Sequence, residues 1–365
     1  MKILFDHQIF TFQKFGGISR YFFELIRNLQ EKELANCTLS ALFSNNHYIQ
    51  SSNFAIRSFF PNQVFRGKTK LQAFINKVYS VMKLREGNFD IFHPTYYDNY
   101  FLRHIGKKPF LLTVYDLIHE RFSEQNEKEP EVALNKEVLA KQANAIVAIS
   151  ESTKRDLIEH LSIQPQKIKV VYLGNSVSQD FKKSKPENIP AQNYILFVGR
   201  RDGYKNFDRL IEAIAPLLSG DPTLSLVCAG GGSFSENEVA ACRERNILNS
   251  VFQYEVDDTL LGKLYANAKL FVFPSLYEGF GIPILEAFAA GCPVACSNTS
   301  SLPEIAADGA FYFDPNDPQS ILFAIKEVLN LKNKEDLVQK GRKRLSNFSW
   351  ADTAQKTYEV YSSLL

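Results

Sequence analysis

The sequence is poor in sulfur, with two methionines and five cysteines in 365 residues. Cys37, Cys228, Cys242, Cys292 and Cys296 are odd in number and irregular in spacing. That excludes a disulfide framework. With no His/Cys cluster around the one C-x-x-x-C pair, it excludes a structural zinc site too. A reducing cytosol fits best. Long apolar runs are also missing: none approaches the ~20 residues needed to span a bilayer. The opening MKILFDHQIF lacks the apolar core of a signal peptide. A soluble cytoplasmic chain is expected, at most peripheral on the inner face of the cell membrane. The net charge of +2 gives no case for nucleic acid. The dinucleotide fingerprint G-x-G-x-x-G is absent, which counts against a nicotinamide enzyme. No D-x-D triplet and no Asp/His metal cluster is evident, so neither metal nor cofactor is expected.

What is present is ordinary globular composition, 45% hydrophobic and 22% charged. At ~100–200 residues per domain, two domains are the default. Short β-rich runs alternate with amphipathic stretches. The strand candidates of the first half are 2–6, 37–44, 89–93, 109–116, 145–150 and 169–173. Between the first two, Ile18, Tyr21, Phe22, Leu25 and Leu29 share one helix face. The polar, Pro-containing segment 175–193 reads as a linker. The pattern restarts with strands expected at 194–199, 224–230, 251–254, 270–275 and 293–297. Alternation of this kind predicts α/β architecture with parallel sheets: two Rossmann-like domains, 1–176 and 190–348. Ligands then belong at the carboxyl ends of strands.

Three constellations carry chemistry. In FGGISRY, Gly16 and Gly17 precede a helix, where bare backbone N–H groups and the helix dipole suit a phosphate; a plain turn is the alternative. In GRRDGYKN, Arg200 and Lys205 follow a strand end and can neutralise a diphosphate, although loop cations are often simply solvated. In EGFGIPILE, Glu278 lies in a loop, Pro283 suits a first helical turn, and Glu286 follows three residues later. The backbone N–H groups around Phe280, Gly281 and Ile282 lie at that helix start. A first-turn carboxylate can hold a ribose diol, and Glu278 can reach the hydroxyls of a second sugar.

EGFGIPILE resembles the E-x7-E motif of retaining GT-B glycosyltransferases of family 4. GGISRY, GRRDGYKN, AGCPV and the closing FSWADTAQKTYEVY stand in that family's order. The resemblance implies a GT-B fold, with two Rossmann-like domains facing across a cleft and a last helix, 349–365, capped by Ser349 with Asp352 at N3, returning to the first domain. It implies diphosphate contact by Gly16 and Gly17, neutralisation by Arg200 and Lys205, ribose binding by Glu286 and donor-sugar binding by Glu278. Relatives carry a histidine where this chain reads TVYDLIHE. Tyr115 stands at that position, and His119, projecting with Asp116 from one side of a helical turn, is expected to take its role. His93 is a second candidate, for the acceptor. The implied reaction moves a hexose from a nucleotide-diphosphate sugar to a glycan or lipid-linked sugar in bacterial surface polysaccharide synthesis. GDP-mannose is favoured over UDP-sugars, and the alternatives are a nucleotide-sugar epimerase or an inactive sugar-nucleotide-binding subunit.

One further absence is local. From Ser51 to Arg85 there are seven basic residues and no acid. Within this stretch Leu71, Phe74, Ile75, Val78 and Met82 share a helix face. Residues 57–85 are expected either to pack that face on the core or to lie on an anionic membrane surface.

Overall fold

The computed structural model describes residues 1–52, 54–122, 130–175 and 193–365. The linker expected at 175–193 lies almost wholly outside them. The chain divides into two compact units, Met1–Gly174 with Ser349–Leu365, and Asn175–Phe348.

The first unit contains β1 (Lys2–Asp6), β2 (Asn36–Ser40), β3 (Ile91–His93), β4 (Leu111–Val114), β5 (Ala145–Ala148) and β6 (Ile168–Val170). They pair in parallel in the orders β2-β1-β3 and β4-β5-β6, and a parallel bridge between Phe92 and Phe110 joins the two sheets. Residues of β3, β4 and β5 are buried throughout, as strands covered on both faces must be. At the end of β1 the buried Asp6 carboxylate accepts from Thr95 N at 2.9 Å, Thr95 Oγ1 at 2.6 Å, Gln8 Nε2 at 2.7 Å and Tyr100 Oη at 3.2 Å. It ties the loop after β3 to β1. The helix Gly17–Glu31 buries Tyr21, Phe22, Leu25 and Leu29, the face the periodicity marks. The helix Trp350–Ser362 packs against it, and its N-cap Ser349 accepts from Asp352 N at 3.0 Å, the cap read from sequence.

His93 is not an acceptor-site residue. It is fully buried, with Nδ1 2.6 Å from Tyr361 Oη and Nε2 2.9 Å from Thr113 Oγ1. It ends β3, and position 93 points into the sheet–helix core. Burial lowers its pKa to about 3.

The helix Lys68–Glu86 inverts one sequence expectation. Its buried residues are Gln72, Asn76, Ser80 and Leu84, while Leu71, Phe74, Val78 and Met82 are exposed and Ile75 is half-buried. Hydrogen bonding decides the orientation. Asn76 Oδ1 accepts from Leu42 N and Phe43 N, each at 3.0 Å, and Asn76 Nδ2 donates to Phe43 O at 2.8 Å and Thr11 Oγ1 at 3.0 Å. Ser80 Oγ donates to Ser40 O at 2.7 Å. The backbone beyond β2 needs partners there, and apolar side chains could not supply them.

The second unit contains β7 (Tyr194–Val198), β8 (Ser225–Ala229), β9 (Val251–Tyr254), β10 (Leu270–Phe273), β11 (Val294–Ser297) and β12 (Ala310–Phe313). They form one parallel sheet in the order β12-β11-β10-β7-β8-β9. The sequence reading lacks β12, because AFYF is short and half-buried at its centre. This order is that of a doubly wound nucleotide-binding sheet. The strand order reverses between β7 and β10, where the helices leave opposite faces and open a crevice at the carboxyl ends. All five cysteines are buried free thiols, consistent with the absence of a disulfide framework.

Acid should test the His93 arrangement. The unfolded chain takes up a proton near pH 6.5 that the native ring refuses down to about 3. Stability should therefore fall as pH drops through that window, by at most about 1.4 kcal/mol per pH unit from this group. In urea melts between about pH 7 and pH 4, His93→Gln should remove close to one proton from the slope. An unchanged slope would show that another group sets acid sensitivity.

Candidate functional site

The reversal point of the second sheet gathers the principal candidates. β7 leads through Gly199 into the 3-10 turn Gly203–Lys205, and β10 leads into the loop that carries Glu278. Lys205 Nζ lies 2.7 Å from Glu278 Oε1, both side chains being largely buried. The ammonium also sits 5.1 Å from the Tyr204 ring and 5.3 Å from the Phe273 ring. Asn206 follows with φ 60, a left-handed conformation that asparagine tolerates. Its amide donates to Pro274 O at 3.0 Å and Pro315 O at 2.8 Å, binding the ends of β10 and β12 to the turn that presents Lys205.

The Glu278 loop is clamped from a third side. Glu278 N donates to Ser300 Oγ at 2.9 Å, and Ser301 Oγ donates to Glu278 O at 2.9 Å and Phe280 O at 2.8 Å. Sequence reasoning missed Asn206, Ser300 and Ser301. The run NTSS directly after a strand was the available signal. Phe280 is buried and packs edge-on against Phe348, so only its backbone faces the site's chemistry.

The motif helix spans Ile282–Ala290 with Gly281 as N-cap at φ 114. Ile282 is therefore its first residue and Glu286 its fifth. This corrects the first-turn placement, because Pro283 occupies the second helical position rather than the first. Glu286 is buried, and its Oε2 accepts from Tyr265 Oη at 3.2 Å, which orients the carboxylate. Burial first, and the Glu286 charge after it, push the Tyr265 hydroxyl well above its ordinary pKa. It stays a proton donor.

The two arginines divide their work unexpectedly. Arg200 is 78% exposed and pairs with Asp202, outside the Lys205–Glu278 pair. Arg201 is the buried one. Its guanidinium donates to Glu238 Oε1 at 2.6 Å and to the carbonyls of Gly230, Gly232 and Ser233 at 2.9, 2.8 and 3.0 Å. It holds the Gly-rich loop after β8. A cavity of about 520 Å³ opens there, lined by Arg200, Asp202, Gly203, Asp208, Gly231 and Asn237. Its size suits a small ligand.

In the first unit, Gly17 begins its helix and Gly16 caps it in extended backbone. Gln13 folds over this end: its Oε1 accepts from Ser19 N at 3.2 Å and lies 2.6 Å from where a Gly16 Cβ would be. A phosphate would have to displace that carboxamide. At the end of β4, Tyr115 turns into an aromatic cluster with Tyr21 and Tyr97, and burial raises its hydroxyl well above the ordinary pKa. Core packing removes it from a histidine-like polar role. The helix here begins only at Ile118, so Asp116 precedes it, accepting from Ile118 N at 3.1 Å, while His119 sits on the helix half-buried. Asp116 and His119 therefore do not share a helix face. The fully buried Lys136, unremarked in the sequence, donates to Asp116 O at 2.9 Å and Glu120 Oε2 at 3.0 Å.

The expectation of no carboxylate/His cluster also needs correcting. Asp156, Glu159 and His160 bring ligand atoms within 4.8 Å of one another, because i, i+3 and i+4 share a helix face. Arg121 already pairs with Asp156 at 2.8 Å.

The Lys205–Glu278 pair should show strong coupling. Lys205→Met alone leaves Glu278 poorly compensated and should cost about 1–3 kcal/mol; adding Glu278→Gln should recover part of that loss. A denaturation double-mutant cycle with additive effects would mean the pair is merely adjacent.

Residues 15–179 match the family model described as Glycosyltransferase Family 4, and residues 178–344 the one described as Glycosyl transferases group 1. The chain is 31% identical over 234 residues to O-antigen chain mannosyltransferase B of Escherichia coli, covering 61% of each chain. It thus spans less than two thirds of that relative's length. It is 27% identical over 309 residues to the MMP alpha-(1->4)-mannosyltransferase of Mycolicibacterium hassiacum, covering 78% of this chain and 73% of that one. Anabaena HepE, solved in complex with UDP and glucose, superposes over the full length of both chains with TM-score 0.74 at 19% identity, a likeness of fold. The two family matches, residues 15–179 and 178–344, fall one on each Rossmann-like unit and together support a GT-B glycosyltransferase.

Proposed function

We propose that the chain transfers a hexose with retention from a nucleotide-diphosphate sugar to a glycan or lipid-linked sugar, in surface polysaccharide synthesis and without a metal ion. The observation that carries this reading is the Lys205–Glu278 pair at the sheet's reversal point. A plain anion would satisfy Lys205 and leave Glu278 facing like charge. A neutral polyol would satisfy Glu278 alone. A sugar diphosphate offers both, anionic oxygens to the ammonium and hydroxyls to the carboxylate. Glu286, oriented by Tyr265, supplies an acceptor for the ribose diol. Arg200 is exposed and near enough in sequence to join the diphosphate once it binds. Mannose as the sugar is favoured by the mannosyltransferase relatives, and GDP as its nucleotide is the expectation carried by the sequence resemblance. The UDP-bound structural neighbour is the reason to test UDP-sugars beside them.

In this scheme the bond between C1 and the diphosphate oxygen breaks and its electron pair stays on the diphosphate, where Lys205 stabilises the added charge. The acceptor oxygen bonds to C1 on the face the diphosphate leaves, and its proton passes to a phosphate oxygen. No protein nucleophile is required, and none is assigned. His119 and Asp116 are proposed to line the acceptor side of the first unit.

Thermal-shift measurement with GDP-, UDP- and ADP-sugars, followed by transfer to candidate acceptors in EDTA, tests the reading. A donor at about 100 times its Kd should stabilise by ~2.7 kcal/mol. The product's anomeric configuration should match the donor's. Inversion, or transfer only with added Mg²⁺ or Mn²⁺, would refute retention or metal independence respectively.

Lys205→Ala should lower kcat about 10²–10³-fold with a smaller change in donor KM, because charge on the diphosphate grows in the transition state. A variant with near-normal kcat would reduce Lys205 to a structural partner of Glu278.

A further inference from the structure

The helix Lys68–Glu86 carries two opposed rows. At about 100° per residue, Leu71, Phe74, Val78 and Met82 lie opposite Gln72, Asn76, Ser80 and Leu84. The second row faces the protein and is held there by hydrogen bonds. The first row faces solvent, with Phe74 64% and Met82 55% exposed. The preceding turn adds Phe60, Val64 and Phe65, all exposed, and the Phe60 and Phe65 rings contact at 5.8 Å. A contiguous apolar surface of this kind requires a partner.

Charge says which partner. Arg66, Lys70 and Arg85 are exposed, and no acid occurs in 51–85. Lys68 and Lys70 stand in the first turn, where they oppose the helix dipole. Lys68 Nζ donates to Phe60 O at 2.7 Å and Gln63 O at 2.9 Å, holding the preceding turn, whereas Lys70 is exposed there and would gain from an anionic partner. Lys77 and Lys83 pair with Asp98 and Glu86, and of the five remaining basic residues Arg66, Lys70 and Arg85 lie on or next to this helix and are exposed.

We propose that this helix and the turn before it dock on an anionic lipid surface. Leu71, Phe74, Val78 and Met82 enter the boundary between headgroups and acyl chains, and Arg66, Lys70 and Arg85 meet the lipid phosphates. A helix in the interface plane needs one apolar face and basic flanks. This one is anchored to its own unit by polar contacts, leaving the apolar face unspent. A second copy of the chain would bring like charges together across the stripe. Docking stands independently of the transfer reaction.

The test is co-sedimentation of the full chain with vesicles of phosphatidylglycerol and phosphatidylcholine mixed, against phosphatidylcholine alone. Binding should require the anionic lipid and fall with added salt. Each basic residue near such a surface is worth about fivefold in affinity, so Arg66→Glu/Lys70→Glu/Arg85→Glu should weaken binding on the order of a hundredfold or more. Phe74→Ser/Met82→Ser should weaken it at least about tenfold with the thermal midpoint unchanged, since both side chains are exposed. Donor binding and transfer to a soluble acceptor should persist in both variants. Equal sedimentation on the two lipids, or binding untouched by either variant, overturns the proposal. So does a wild-type dimer that Phe74→Ser/Met82→Ser converts to monomer.

Discussion

The second unit depends on the amide of Asn206. Its two N–H groups reach carbonyls beyond β10 and β12 from a residue just beyond β7. With the amide in place, Lys205 is presented from one side and Glu278 from the other at hydrogen-bond distance. Any longer side chain would push the loops apart, and one without donors would leave the buried Pro274 carbonyl unsatisfied and Pro315 O with only the 3.4 Å contact from Arg209. The left-handed backbone at this position further narrows the choice to asparagine, aspartate or glycine, of which only asparagine can donate twice.

Several polar residues enclosed in this protein hold its loops in place. Asp6, Asn76, His93, Lys136 and Arg201 are each buried and each bonded to backbone or side-chain groups. In a low-dielectric interior such bonds are costly to break, so they fix loops that apolar packing alone would leave free to slide. Glu286 combines both characters, buried and oriented by Tyr265, yet placed on the helix that opens at the reversal point.

Periodicity made the strands and the helix Gly17–Glu31 legible, because burial on both sheet faces demands unbroken apolar runs. The EGFGIPILE loop was legible because glycine and proline punctuate it. Elsewhere sequence reading failed for identifiable physical reasons. Arg200 and Arg201 look alike in sequence, and only the carbonyls of the Gly-rich loop decide which is buried. Lys136 sits in an unremarkable helical pattern, and its acceptors Asp116 and Glu120 lie twenty and sixteen residues earlier. The helix Lys68–Glu86 defeats the usual rule, since its apolar stripe is real but the unpaired backbone beyond β2 outranked it. β12 is too short, and too exposed at its centre, to stand out.

The first unit is discontinuous in sequence, and this has a consequence for biogenesis. His93 finds its partner Tyr361 across 268 residues. Gly174 leaves no room for a Cβ beside Trp350. During synthesis the whole second unit therefore leaves the ribosome before the first can be finished. Until then Tyr21 and the His93 ring lack their partners Trp350 and Tyr361, while the second unit, contiguous in sequence, can already fold. Domains usually mature from the N-terminus onward. Here residues of the first unit are made before the second unit and completed after it, exposed meanwhile to chaperones and proteases.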